Sequence, residues 1–283
     1  MRAVWSFWSE PFVRGEGSGW LGARHAYLAW VLSVGCARRH YPDTTLVTDD
    51  RGAELLVEQL GLKFTRVSLA LNQLRDRDPD WWALGKLYAY RMQTEPFVHI
   101  DADAFLWNPL PAELESAAVF AQSPETFDPD DGHFYPARAV ERSVAWLPEE
   151  WRWYTAGRGP RAASCCGILG GSRVDLVARY ADLGIRVVED PRNAVGWATW
   201  GNKGLCNVLV EQMLLDAVAA HRKVPVAHLF PEAGDPYDPA KAAAAGYTHL
   251  IGAAKQHPQL MADLEARVTA EFPDLAGRCR DLA

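Results

Sequence analysis

A chain of 283 residues with a formal net charge of −7 and no basic block lacks the clustered Lys and Arg on which nucleic-acid affinity rests, so polyanions are not expected partners. Its 49% hydrophobic content suits a well-buried core and excludes a disordered chain. The opening MRAVWSFWSEPF has no charged region followed by an apolar one, and no run reaches the roughly 18 apolar residues that cross a bilayer, so a soluble, cytoplasmic protein is expected.

The five cysteines, two of them adjacent at Cys165 and Cys166, form no Cys-x-x-Cys pair and read as buried small hydrophobes, neither a zinc site nor a secreted disulfide framework. Twelve tryptophans are many for this length. Their rings stack on sugars or fill cores.

In chain order, residues 2–8 carry alternating apolar and aromatic groups and predict a first strand. RGEGSGWLG follows, in which Gly17, Gly19 and Gly22 satisfy G-x-G-x-x-G ahead of a helical pattern over Arg24–Arg39. A dinucleotide fingerprint needs its first glycine directly after the strand; here residues 9–16 intervene, so a loop beside a ligand crevice is the better reading. Residues 44–50 predict a strand ending in acids, 52–61 a helix, 63–69 a strand, and WWALGKLYAYRMQ a helix that leads to the apolar strand FVHI. Such alternation predicts an α/β fold with a mostly parallel sheet flanked by helices, whose ligands bind beyond the carboxyl ends of the strands.

Beyond Pro111 the periodicity weakens. AAVFAQ and SCCGILGGS predict strands, VDLVARYADLG a helix ended by Gly184, CNVLVEQMLLDAVAAH a helix, KVPVAHLFP a strand, and QLMADLEARVTAEF a terminal helix with a core stripe of Leu260, Leu264 and Val268. Residues 124–162 show no clear repetition. With no internal repeat and no linker, one domain spanning 1–283 is expected.

Four Asp-x-Asp triplets occur: Asp76/Asp78, Asp78/Asp80, Asp101/Asp103 and Asp128/Asp130. Only Asp101 and Asp103 end a hydrophobic run. Side chains two apart on a strand share a face, so these carboxylates converge and can hold a hard divalent cation, which takes oxygen ligands and shares them with substrate phosphates.

An apolar strand ending in Asp101-Ala102-Asp103, a later C-G-I-L-G-G strand, a helix with Glu211-Gln212 and a closing H-L-I-G-A-A-K resemble, in that order, the GT-A glycosyltransferases, above all the retaining glycogenin-like group often called family eight. The resemblance covers about residues 1–256 and implies a GT-A, Rossmann-like fold. It implies a nucleotide-sugar-binding half over 1–107, an acceptor-binding and metal-completing half over 108–256, and a C-terminal helix over 257–283. It also implies a nucleotide-sugar donor, in the first instance a UDP-sugar, with Mn²⁺ or Mg²⁺. By position Asp103 and His249 ligate the metal, Asp101 binds it or the donor ribose, and Lys255 and Gly252 meet the phosphates. Lys86 falls where the group carries a basic residue near the donor. The group often has D-Q-D where this chain has Glu211-Gln212-Met213, so a sugar-contacting catalytic role falls to Glu211 or Gln212. The strand that usually reads N-S-G-V has Cys165-Cys166-Gly167, and the lysine is followed by Gln-His-Pro in place of Pro-Trp.

The function so implied is transfer of a hexose, with retention, to the hydroxyl of a glycan, peptide or small-molecule acceptor. Two alternatives stay open: a sugar nucleotidyltransferase on the same fold, and a catalytically silent GT-A-like binding module.

Overall fold

A computed structural model describes residues 1–15, 19–131, 133–157 and 159–282. The chain is α/β, its main strands mostly parallel and flanked by helices, as the alternation predicts. It forms two compact units interleaved in sequence, Met1–Pro79 with Val98–Leu110 and Pro236–Ala283, and Asp80–Phe97 with Pro111–Asp235.

The first unit is built on β1 (Arg2–Phe7), β2 (Thr44–Thr48), β3 (Arg66–Ser68) and β4 (Phe97–Ile100), in the order β3-β2-β1-β4. β1 pairs in parallel with β2, and β2 with β3. All five residues of β2 and all four of β4 are buried, as strands covered on both faces must be. The chain steps outward from β1 to β3 and then returns to the opposite side of β1 for β4, which makes the β1/β4 boundary a topological switch point. A small antiparallel ladder, β5 (Ala104–Leu106) with β9 (Tyr247–His249), lies just beyond β4 in sequence.

The helix Ala23–Ala37 is buried almost all round, with Leu28, Ala29 and Val31 fully covered, so it reads as a core helix without a polar stripe. The C-terminal segment docks on it as two helices, Pro258–Glu271 and Pro273–Asp281, because Pro273 ends the first and opens the second. Phe272 at the break lies so close to Gly35 that a β-carbon there would stand 2.3 Å from its ring. Of the predicted stripe, Leu264 and Val268 are buried; Leu260 is exposed and Met261 takes its place.

The second unit carries β6 (Val119–Phe127), β7 (Arg161–Gly171) and β8 (Val226–His228), in the order β7-β6-β8, with β6 antiparallel to β7 and parallel to β8. The helix Ala83–Arg91 packs on Val174–Glu189. The latter does not stop at Gly184. That glycine is a packing contact, where a β-carbon would lie 3.0 Å from Leu87 and 3.1 Å from the Val210 carbonyl. The predicted helix over 206–221 is present as Gly204–His221, with a π-helical turn at Leu209–Met213. The unpatterned stretch after residue 124 resolves into the end of β6 and two short helices, Ala137–Ser143 and Glu149–Ala156.

All five cysteines are free and buried. Among the described residues no helix is long and apolar enough to cross a membrane.

Candidate metal centre

Residues 97–100 are β-favouring and wholly buried, so β4 delivers Asp101 at its carboxyl end, at the switch-point side of the first unit. A tight turn follows, closed by the Ala104 N–H donating to the Asp101 carbonyl at 3.0 Å. The chain then enters β5. Register pairs Ala104 with His249, Phe105 with Thr248 and Leu106 with Tyr247, and the Leu250 N–H donates to the Asp103 carbonyl at 2.9 Å. A residue almost 150 positions away in sequence thereby stands beside the aspartate turn.

β9 is fixed by more than its ladder. Gly246 ends the helix Pro239–Ala245 in the left-handed region, φ 61°, the ordinary glycine stop of a helix. Its carbonyl accepts from the N–H groups of Trp107 at 2.8 Å and Asn108 at 3.3 Å. The Trp107 indole donates to the Thr248 hydroxyl at 2.9 Å.

One ligand atom each from Asp101, Asp103 and His249 lie within 4.8 Å of one another. Ligands on one hard cation, bonded at roughly 2.1–2.5 Å, are at most about 5 Å apart, so the three fit a single ion. Two carboxylates with one imidazole suit Mn²⁺ and admit Mg²⁺. His249 Nε2 is 3.2 Å from Asp103 Oδ1, and the Lys255 ammonium is 2.5 Å from Asp103 Oδ2. Burial raises the Asp103 pKa, but Lys255 and His249 outweigh it and hold the group well below the usual carboxylate range. Asp103 is therefore ionised and ready to ligate.

Gly252 has φ 52°, and a β-carbon there would meet nothing within 4 Å. The glycine is needed for its backbone conformation, and the space beside it is open. Lys255 also lies 5.5 Å from the Trp20 ring centroid, its carbonyl accepts from the Leu21 N–H at 3.0 Å, and the neighbouring Gln256 amide donates to the Gly19 carbonyl at 2.6 Å. Residues 19–21 of the glycine-rich stretch thus lie against the lysine segment.

That loop is no dinucleotide turn. Gly17 lies outside the described residues, and the helix Ser9–Arg14 separates β1 from Gly19 and Gly22. Asp49, placed where a ribose-binding acid would be read, is buried and spent on the chain itself, accepting from the Ser9 N–H at 2.8 Å, the Ser9 hydroxyl at 2.9 Å and the Gly52 N–H at 2.7 Å.

Lys86, Glu211 and Gln212 belong to the second unit. Lys86 and Glu211 are brought together as a buried ion pair, and the Lys86 ammonium also donates to the Cys166 carbonyl at 3.2 Å. Glu211 and Gln212 sit in the π-helical turn, an irregularity often found at functional sites. The Glu211 carbonyl accepts from Tyr180 at 2.5 Å, while the Gln212 amide meets the Tyr135 hydroxyl at 2.6 Å, which itself donates to Glu125. The Asp128/Asp130 triplet is a turn, with the Asp130 N–H donating to Asp128 at 2.9 Å and Arg138 pairing with Asp130.

Two residues around the aspartate turn escape a reading of the sequence. His99, fully buried on β4, lies 3.7 Å from Asp101 through Nδ1 and 2.9 Å from the Ser6 hydroxyl through Nε2. Ser33 donates to the Asp101 carbonyl at 3.0 Å and accepts from the Trp5 indole at 3.0 Å. The alternation of FVHID does put His99 and Asp101 on one face, but a single histidine in an apolar run is ordinary core.

No curated protein matches this sequence. A family model does, DUF6734, described as a family of unknown function, over residues 1–282.

Proposed function

The chain belongs to the DUF6734 family, and from the geometry of its acid–histidine cluster we propose that it is a metal-dependent glycosyltransferase moving a hexose from a nucleotide sugar, a UDP-sugar in the first instance, to an acceptor hydroxyl. The observation that carries this reading is that Asp101, Asp103 and His249 bring one ligand atom each within 4.8 Å of one another, with Lys255 on the Asp103 carboxylate. A cation there, Mn²⁺ or Mg²⁺, supplies Lewis-acid stabilisation of the charge that builds on a departing nucleoside diphosphate.

The chain's own residues do the rest. Asp103, ionised throughout the physiological range, and His249 hold the cation, and Asp101 completes the set or takes the donor ribose. Lys255 sets a fixed positive charge where the phosphates gather, and the turn at Gly252 lets backbone approach them. Glu211 or Gln212 is the proposed contact to the reacting sugar on the strength of the resemblance alone, and Lys86 neutralises Glu211. Among the described residues no pair of carboxylates is identifiable as nucleophile and acid/base in the glycosidase manner, so departure and attack on one face, with the departing diphosphate taking the proton of the acceptor hydroxyl, is the proposed course, and retention follows from the resemblance. The acceptor is a glycan, a peptide or a small molecule, and the proposed place of action is the cytoplasm.

The test is a panel of nucleotide sugars with Mn²⁺, read as free nucleoside diphosphate, with Asp103→Ala and His249→Ala alongside. Release abolished by both substitutions supports the reading. Pyrophosphate formed from a nucleoside triphosphate and a sugar phosphate would replace it with nucleotidyl transfer. Absence of nucleotide and metal binding would leave a silent module.

A further inference from the structure

Asp101 is held by one chain of hydrogen bonds and faced by the end of a second, and both start from neighbouring residues of β1. Successive side chains of a strand leave on opposite faces. From one face the Trp5 indole donates to the Ser33 hydroxyl at 3.0 Å, and Ser33 donates to the Asp101 backbone carbonyl at 3.0 Å. From the other, the Ser6 hydroxyl meets His99 Nε2 at 2.9 Å, and the far ring nitrogen of that imidazole faces the Asp101 carboxylate at 3.7 Å. Trp5 and His99 are 0% and 1% exposed, so neither arrangement is a surface accident.

A buried histidine with no functional task needs only to satisfy its ring nitrogens. Here one nitrogen is taken by a serine and the other is turned on a carboxylate that belongs to the candidate ion site. Metal-binding carboxylates are commonly held by an outer layer of hydrogen-bonding groups that set their orientation. We propose that His99 is a positioning residue for the metal centre, with the Ser6 hydroxyl donating to Nε2 so that Nδ1 carries its proton towards Asp101 and orients the carboxylate for the cation. Trp5 and Ser33 hold the backbone of the same residue. This inference rests on the metal reading above and adds to it a specific outer layer built from β1.

The test is Mn²⁺ affinity, measured by the paramagnetic resonance of free Mn²⁺ during titration of the whole chain, without donor or acceptor. His99→Phe removes both ring nitrogens and is expected to weaken binding about 10- to 100-fold, the usual cost of losing such a partner. His99→Asn keeps an N–H near the Nδ1 position and is expected to stay within roughly threefold of wild type, well inside that range. A purely structural histidine would not separate the two. Ser6→Ala, a small change that leaves the core filled, should weaken binding about three- to tenfold by freeing the ring, and it serves if His99→Phe does not fold. Equal affinity in wild type, Ser6→Ala and a folded His99→Phe, or an Asn variant as weak as Phe, overturns the inference. If wild type itself takes up no Mn²⁺, the metal reading fails and this inference fails with it; loss confined to the variants distinguishes the two.

Discussion

Asp103 has two basic side chains beside it, and they pull in different directions once an ion arrives. His249 can join the same ion, whereas Lys255 repels it while holding the carboxylate ready. Lys255→Met should therefore bind Mn²⁺ alone at least as well as wild type, yet bind a nucleoside diphosphate more weakly; titrations of each ligand by calorimetry measure both. A parallel loss of both affinities would place Lys255 among the supports of the fold.

A second residue sets a pH dependence. Asp216 is buried in the second unit, and burial raises its carboxyl from 3.8 to about 6 although it accepts from the Ser164 N–H at 2.6 Å. Folded, the acid keeps its proton longer than unfolded, so the folded state binds more protons between about pH 4 and 6 and stability from this group falls as pH rises through that window. The loss above it is roughly 3 kcal/mol. Asp216→Asn retains an acceptor for Ser164 without the charge. Its stability advantage over wild type should grow by about 2–3 kcal/mol between pH 4 and 7 in denaturant titrations. A difference independent of pH would contradict the assignment.

At the scale of elements, the metal cluster depends on where β9 lands. Gly246 needs its left-handed backbone, and a β-carbon there would lie 2.3 Å from the Asn108 amide. Gly246→Ala is expected to cost about 1–3 kcal/mol by strain and overpacking. Because Trp107 and Asn108 also bond the Gly246 carbonyl, it should lower Mn²⁺ affinity as well, though no ligand is touched. Unchanged affinity would show that the β5–β9 ladder suffices to place His249. β7 offers a control. Gly170 approaches the Phe97 carbonyl so closely that a β-carbon would lie 2.0 Å away, and Gly170→Ala should unfold or destabilise the protein by at least about 3 kcal/mol.

The elements also show how far a sequence can be read. β1, β2, β4 and the helices at 23–37 and 83–91 were legible because apolar periodicity and length agree there. Asp101 and Asp103 were legible as a pair because a buried strand runs straight into them. β3 keeps only Arg66–Ser68 of its predicted seven residues, since Val67 is exposed and little packing rewards a longer strand. The π-helical turns at 54–59 and 209–213 leave no sequence mark, because a single widened turn hardly shifts the pattern of apolar residues. His99 and Ser33 escaped because their roles exist only once β1, β4 and the helix Ala23–Ala37 are assembled.

For the molecule as a whole, the interleaving of two units was hidden. The chain passes between them near residues 79, 97, 110 and 235, each beside a proline such as Pro79, Pro96, Pro109 or Pro236, but one or two prolines mark ordinary turns as well as linkers, so composition gives no specific warning. The metal cluster nevertheless lies wholly inside the first unit, whose two C-terminal helices close over Ala23–Ala37. A ligand that binds only the folded state stabilises it, by about 2.7 kcal/mol at a hundredfold excess over its dissociation constant. Mn²⁺ should accordingly raise the temperature at which the first unit melts, and Asp103→Ala should remove that rise.

The central claim is that Asp101, Asp103 and His249 hold a cation on which a nucleoside diphosphate binds. Calorimetric titration of UDP into the protein with Mn²⁺, and again with a chelator, tests it most directly. The account predicts binding that requires Mn²⁺ and is lost in both Asp103→Ala and His249→Ala. UDP binding indifferent to Mn²⁺, or retained in either variant, would contradict it.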